Sequence, residues 1–303
     1  MIDRYRAMLA FISSVTRNEC TDAINAILDT LTNSTNSAVL SQMYEITLVA
    51  LRTANNERLW FNTNLKLAKL YVDDKKFDEV EKKIAELKKT CQLPDGSDDI
   101  NKGSYLLEIY CLEIQMCSAT LNSARMKKIY PRTLKLNAAV ADPRIMGIIR
   151  EEGGKMQMAE GNWKEAYDEL YEAFRKYQEA GNSRARDCLK YVVLASMLSL
   201  SDINPFAARE AKVFADDKEI LAMSDLRQSL EANDLKRFER TIRNKQNRIM
   251  EEQFLMTYIQ PLRRRMREQV SDCCGWWWWW CVIVMLVVYV CFYPLKVYVT
   301  YVL

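Results

Sequence analysis

Apolar residues recur at helical spacing along most of the chain, and short polar segments separate the apolar stretches. The pattern is clearest at residues 142–177, where two apolar stripes flank a turn. Gly161 falls in that turn, Gly154 lets the first helix approach its partner closely, and Trp163 opens the second helix. The second helix carries a stripe formed by Ala166, Leu170 and Ala173. This spacing predicts two antiparallel helices, neither of which buries its apolar face without a neighbouring pair.

The same pattern recurs elsewhere in the chain. Residues 58–71 and 77–87 form a second predicted hairpin, in which Ala68, Tyr71 and Phe77 take the matching positions. The second helices of successive pairs are predicted to begin near residues 77, 124, 163, 200 and 235. A period in the mid-thirties to forties is typical of tetratricopeptide-like repeats. We therefore predict an all-α fold, a right-handed superhelical solenoid of tetratricopeptide-like helical hairpins.

The amino-acid composition argues against several classes of enzyme and metalloprotein. The 303 residues include only 8 Gly and 6 Pro, which favours helices over strands joined by many turns. His is absent, so the chain lacks the usual general base and the commonest metal ligand. The nine Cys form no C-x-x-C pair, which favours reduced, packed thiols. We therefore predict no enzyme activity, no catalytic residue, no metal site and no cofactor.

Charge is balanced overall but not locally. The formal net charge is only +3, so an electrostatic partner would have to contact a local patch. On the second predicted hairpin, Arg58, Lys66 and Lys69 are candidate partner-facing basic residues. Another basic segment follows Leu235, and it contains Lys236, Arg237, Arg240, Arg243, Lys245 and Arg248. That segment lacks interleaved aromatic residues for base stacking, so it favours a protein partner and we expect no nucleic-acid partner.

The chain changes character near its C-terminus. Residues 276–293 contain no charged residue and no proline, and a cluster of arginines at 263–267 precedes them. That length and those flanking charges are typical of a membrane anchor. Five consecutive tryptophans at 276–280 instead suggest read-through into a repetitive non-coding sequence, and a buried core helix is a third interpretation. A membrane partner is expected only if the tail is a genuine segment.

Six segments carry a more specific pattern. They are NNERLWFNTNLKLAKLY (55–71), LLEIYCLEIQM (106–116), DPRIMGIIREEGGKM (142–156), CLKYVVLASML (188–198), INPF (203–206) and DKEILAMSDL (217–226). Together they closely resemble the subunit 2 family of the COP9 signalosome, which belongs to the PCI-domain scaffold proteins. The related helical subunit of the proteasome lid shares this plan but resembles the segments less. A tail-anchored helical-repeat adaptor is the other alternative.

The resemblance implies a non-catalytic scaffold in a complex whose metalloprotease removes a ubiquitin-like modifier from cullins. It implies other signalosome subunits and the cullin and RING components of ubiquitin ligases as partners, and a location in cytoplasm and nucleus. The family has a longer N-terminal arm and a PCI winged helix, whereas the match here stops near Gln269, so both are expected to be missing. We therefore divide the chain into a helical-repeat solenoid (1–248), the start of a PCI-type helical region (249–272) and a Trp-rich apolar tail (273–303).

Overall fold

The computed structural model describes residues 2–267, except 33–36, 55, 94, 137–140 and 202. Helices form nearly all of this part, and its only β-type contact is an isolated bridge between Gln92 and Asp98. The all-α fold class predicted from the sequence is confirmed. Among the described helices, none has both the length and the hydropathy needed to cross a membrane. The predicted apolar tail at 273–303 lies outside the described residues.

Thirteen α-helices are named here in chain order. They are α1 (Ile2–Leu9), α2 (Arg17–Thr32), α3 (Ser37–Ala54), α4 (Glu57–Asp73), α5 (Phe77–Cys91), α6 (Gly103–Ala119), α7 (Ser123–Lys135), α8 (Pro143–Glu160), α9 (Trp163–Glu179), α10 (Arg184–Ser199), α11 (Lys218–Glu231), α12 (Leu235–Arg243) and α13 (253–267). The chain divides into two compact units, residues 1–156 and residues 157–303. In the first unit, α4 packs on α5 and α6 on α7; in the second, α9 packs on α10 and α11 on α12.

Three of the turns between consecutive helices share one backbone geometry. One or two residues after the first helix ends, the backbone takes a positive φ, as at Leu121 (+55°), Gly161 (+80°) and Asn233 (+52°). The next backbone N–H then donates to a carbonyl oxygen five residues earlier, as Asn162 does to Gln157 at 3.0 Å. This bond satisfies a carbonyl that the helix end leaves without a partner. The geometry therefore closes one helix and starts the next within a few residues.

Side-chain caps begin several of the second helices. Asn122 and Asp234 accept the backbone N–H groups of Arg125 and Arg237 at 3.1 Å and 3.0 Å. An Asn or Asp at this position satisfies one of the N–H groups that a helix start leaves unpaired. The polar segments between the apolar stripes thus end one helix and begin the next.

The predicted helix start near residue 200 is wrong. Leu200 adopts φ +52° and closes α10, and the next α-helix begins only at Lys218. Between them, Asn204 caps a 3₁₀ turn by accepting the Phe206 backbone N–H at 3.0 Å. Pro205 has no N–H and disfavours helical geometry in the residue before it. An α-helix therefore does not propagate through this segment.

α10 is the central helix of the second unit. Residues 188–197 are all buried, because α9 and α11 both pack against this helix. One of them is charged: Lys190 Nζ donates to Glu219 and Glu252 at 2.9 Å and lies 3.1 Å from Asp187. Burial lowers the pKa of Lys190, but the hydrogen bonds to Glu219 and Glu252 outweigh burial and raise the pKa above its ordinary value. The ammonium therefore ties α10 to α11 and to the start of α13.

Candidate protein-interaction cleft

A cleft in the first unit is bounded by the N-terminal turns of α2, α4 and α6 and the C-terminus of α5. Asn56 fixes the start of α4: its Oδ1 accepts the Leu59 backbone N–H and its Nδ2 donates to Thr21 Oγ1, both at 3.3 Å. The rings of Phe61 and Tyr105 lie 4.3 Å apart and hold α4 against α6. The walls of the cleft are therefore set by helix packing and a helix cap.

The cleft encloses about 1100 Å³ and combines cationic, amide and aromatic side chains. Its cationic residues are Arg17, Arg58 and Lys102, against a single acidic residue, Glu57. Lys102 Nζ donates to the Thr90 carbonyl oxygen at 2.5 Å, whereas Arg58 is exposed. The amide and larger aromatic side chains of the lining are Asn18, Asn25, Asn56, Asn62, Trp60, Phe61 and Tyr105. This lining suits the backbone and acidic side chains of a peptide segment.

Among the described residues, the one thiol that lines the cleft is a poor nucleophile. It belongs to Cys91, and burial raises the pKa of this thiol above its ordinary value. A protonated thiol is a weak nucleophile, and the chain has no His to activate it. Within the described ranges, no group of three or more Cys, Asp and Glu side chains is placed to hold a metal ion.

The three predicted partner-facing basic residues lie along α4 but not together. Arg58 lines the cleft, while Lys66 donates to Asp29 at 2.7 Å and to Asn25 at 3.3 Å. Lys69 follows Arg58 by three helical turns, roughly 16 Å along the axis. It lines a different pocket of about 340 Å³. Of the three, Arg58 is the one placed in the cleft.

The smaller pocket has a mixed lining from α4, α6 and α8. Burial raises the pKa of Glu108 above its ordinary value. Burial also raises the pKa of the Cys111 thiol to about 12. Ile145 and Ile148 supply apolar walls. The pocket therefore favours the neutral forms of Glu108 and Cys111, and the Cys111 thiol is unreactive at neutral pH.

The predicted repeat-packing residues occupy different environments. Five are buried: Ala68, Tyr71, Ala166, Leu170 and Ala173. Gly154 is also buried, Phe77 and Trp163 are half-buried, and Gly161 is exposed in its turn. The Trp163 ring meets Tyr258 of α13 edge-on, with centroids 6.0 Å apart. Tyr71 Oη donates to Glu45 at 2.8 Å, which links α4 to α3.

Gly153, the residue before Gly154, lies very close to a neighbouring helix. A Cβ placed on Gly153 would lie 2.4 Å from two ring carbons of Tyr130, which belongs to α7. Real Cβ atoms do not approach other atoms so closely, so a larger residue here would force Tyr130 or the α8 backbone to shift.

The chain is similar in sequence to several known proteins. No protein-family model matches the chain. It is 47% identical over 271 residues to COP9 signalosome complex subunit 2 of Drosophila melanogaster, and 44% identical over 273 residues to that of Dictyostelium discoideum. The protein of the same name from Schizosaccharomyces pombe is 35% identical over 273 residues. Each match covers 89% of this chain. Over most of its length the chain is thus similar to COP9 signalosome complex subunit 2 proteins.

The chain spans about three fifths of the length of these signalosome relatives: 61% of the Drosophila and Dictyostelium proteins and 62% of the fission yeast protein. The family resemblance inferred from the six quoted segments is therefore confirmed. The relatives are named as subunits of a complex.

Several charged residues of this chain are buried, and the sequence pattern alone did not single them out. Glu113 on α6 accepts from Arg125 Nε at 3.0 Å and from Arg125 Nη2 at 2.7 Å, and Lys88 also bonds to it. Arg227 on α11 donates to the carbonyl oxygens of Ser201 and Ile203 at 3.0 and 2.8 Å. A detectable signal exists for Glu113 and Lys190, because each is a charged residue inside an otherwise apolar run.

Proposed function

We propose that the chain is a non-catalytic scaffold subunit of the COP9 signalosome. In this role it helps to engage cullin–RING ubiquitin ligases, from whose cullins the complex removes the ubiquitin-like modifier. The observation that carries the proposal is the homology to signalosome subunit 2 over 89% of the chain. The proposed partners are other signalosome subunits and the cullin and RING components, and the proposed location is cytoplasm and nucleus.

We assign ligase contact to the cleft between α2, α4, α5 and α6. Three cationic residues against one acidic residue give it a positive lining. Such a lining increases the association rate with an acidic partner surface and discriminates against basic ones. Asn side chains and the aromatic rings add hydrogen bonds and apolar area of the kind found at protein interfaces.

Direct binding to a purified cullin–RING complex tests this proposal. Arg58→Glu reverses one charge in the cleft, and we expect it to weaken binding by roughly five- to fiftyfold. Arg4→Glu reverses an exposed arginine of α1 and is the matched control, which should bind like the wild type. Failure of the wild-type chain to bind would refute the ligase-engaging role. Equal binding by wild type and Arg58→Glu would refute only the assignment to the cleft.

A further inference from the structure

Positive charge is concentrated at the C-terminal end of the described chain. Residues 235–267 contain ten Lys and Arg residues against three Glu, although the whole chain has a formal net charge of only +3. Arg237 is neutralised locally, since its guanidinium bonds to Asp225 and donates to Gln228 at 3.0 Å. Most of the other cations of this segment have no carboxylate partner within α11 and α12. The excess positive charge must therefore lie largely on the surface of α12 and α13.

One carboxylate gathers three of these cations. Glu239 Oε1 accepts from Arg263 Nη2 at 2.8 Å and from Arg267 Nη2 at 2.9 Å, and its Oε2 accepts from Arg243 at 3.3 Å. Hydrogen bonds from Arg263 and then from Arg267 lower the pKa of Glu239 to about 2. One negative charge thus faces three positive charges and leaves an excess of two. The same contacts hold α12 and α13 side by side at this end.

Other cations extend the cluster on the same side of the two helices. Lys236, Arg240 and Arg243 recur at helical spacing on the exposed side of α12, and Arg264 neighbours Arg263 and Arg267 on α13. Within the described residues, no carboxylate pairs with Lys236, Arg240 or Arg264. The side chains of Arg243 and Arg267 remain 75% and 55% exposed despite their contact with Glu239. We call these six cations the basic surface: Lys236, Arg240, Arg243, Arg263, Arg264 and Arg267.

The aromatic residues near the basic surface face inward. Phe238 is fully buried, and the Phe254 ring packs edge-on against Tyr191 and Tyr258 with centroids 4.7 and 5.3 Å apart. Single-stranded nucleic acid is held without sequence preference by stacking its bases on exposed rings. Within the described part of residues 2–267, the basic surface supplies charge without exposed rings for stacking, so it favours a partner whose anionic groups are carboxylates.

We propose that the basic surface binds an acidic segment of a partner protein. Glu239 shows the chemistry inside the molecule, because a single carboxylate already accepts several guanidinium donors there. Each guanidinium carries five N–H donors in a planar fork, and the side chains of Arg243 and Arg267 stay largely exposed beside Glu239. Carboxylates of a partner complete this network. The surface lies in the second unit and needs no other signalosome subunit, so it is independent of the proposed function.

Fluorescence anisotropy with the full chain tests the proposal. The probe is a fluorescein-labelled peptide of six Glu-Ser repeats, compared with a Gln-Ser peptide of equal length and with a seven-nucleotide oligouridylate of equal charge. Arg240→Gln/Arg264→Gln removes two exposed charges that contact no carboxylate of the described residues, so the described fold should be unaffected. We expect this double variant to bind the Glu-Ser peptide about three- to tenfold more weakly at low salt. The matched control is Arg144→Gln/Arg209→Gln, which removes two exposed arginines elsewhere.

Three results support the proposal together: preference for Glu-Ser over Gln-Ser, weaker binding by the basic-surface variant alone, and weaker binding when salt rises from about 50 to 300 mM. Equal affinity for the two peptides overturns it. Oligouridylate binding as tight as that of the acidic peptide also overturns it, since the surface would then bind nucleic acid. An equal loss of affinity in the control variant would mean that net charge, and not this surface, drives binding.

Discussion

Replacing Gly153 by alanine tests how closely α7 and α8 are packed. The new methyl group would lie 2.4 Å from Cε2 and Cζ of Tyr130 and 2.6 Å from its hydroxyl oxygen. Tyr130 is only 4% exposed, so neighbouring side chains restrict its movement. Either the ring or the helix must shift by about 1 Å to restore ordinary contact distances.

The magnitude follows from two opposing effects. Overpacking a close contact costs about 1–3 kcal/mol, while replacing glycine by alanine inside a helix gains up to about 1 kcal/mol. We therefore expect Gly153→Ala to lower the free energy of unfolding by about 1–2 kcal/mol. For a cooperative unit of roughly this size, that corresponds to about 2–8 °C in Tm. Urea titration followed by circular dichroism measures the loss.

Two further variants separate packing from helix propensity. A Cβ on Gly103, the first residue of α6, would meet no atom within 4 Å, so Gly103→Ala should be neutral or slightly stabilising. Tyr130→Leu should cost less in the Gly153→Ala background than alone, because the smaller side chain makes room for the methyl group. The reasoning is refuted if Gly153→Ala is as stable as the wild type and additive with Tyr130→Leu.

Three other substitutions or treatments follow from the structure. Leu121 is 87% exposed at φ +55°, so Leu121→Gly should raise the free energy of unfolding by about 0.5–1 kcal/mol, and a lower urea midpoint would contradict this. Lys190→Met leaves three carboxylates around a buried site and should cost about 3–5 kcal/mol at pH 7. The pKa of Lys190 is higher in the folded than in the unfolded chain. Its contribution to the free energy of unfolding is therefore complete below the unfolded pKa of about 10.4 and is lost as the pH rises through the folded pKa. Urea midpoints of the wild type and of Lys190→Met should converge only above the folded pKa. Cys111 is 5% exposed with a pKa of about 12, so mass spectrometry should find it unalkylated by iodoacetamide at pH 8 until urea unfolds the chain; rapid labelling of the native protein would contradict its burial.

The sequence predicts local structure well where polar and apolar signals agree. The stripes at 58–71 and 77–87 correspond to α4 and α5, and the helix start predicted near residue 235 corresponds to Leu235, the first residue of α12. The helix start near residue 200 fails because spacing was extrapolated across Asn204-Pro205, a local sequence that favours a 3₁₀ turn. The left-handed conformation of Leu121 has no sequence signal, since leucine rarely adopts it.

Tertiary partners are less predictable than helices. Lys66 and Arg58 are both basic residues of α4, but their surroundings differ. Lys66 donates hydrogen bonds to Asp29 and Asn25 of α2, whereas Arg58 lines the cleft. The pairing depends on how α2 crosses α4, which no local pattern specifies. The close approach at Gly153 is a similar case, because adjacent glycines are visible in the sequence, whereas the contact with Tyr130 depends on how α7 crosses α8. The basic surface also depends on α13 folding back beside α12.

The proposed role as a subunit of the COP9 signalosome can be tested in cells. The tagged full chain is affinity-purified, and the proteins recovered with it are quantified by mass spectrometry. We expect other signalosome subunits and cullin–RING components at levels far above those with a tag-only control. Recovery of neither group, from a chain whose circular dichroism shows it to be folded and helical, would refute the proposed function.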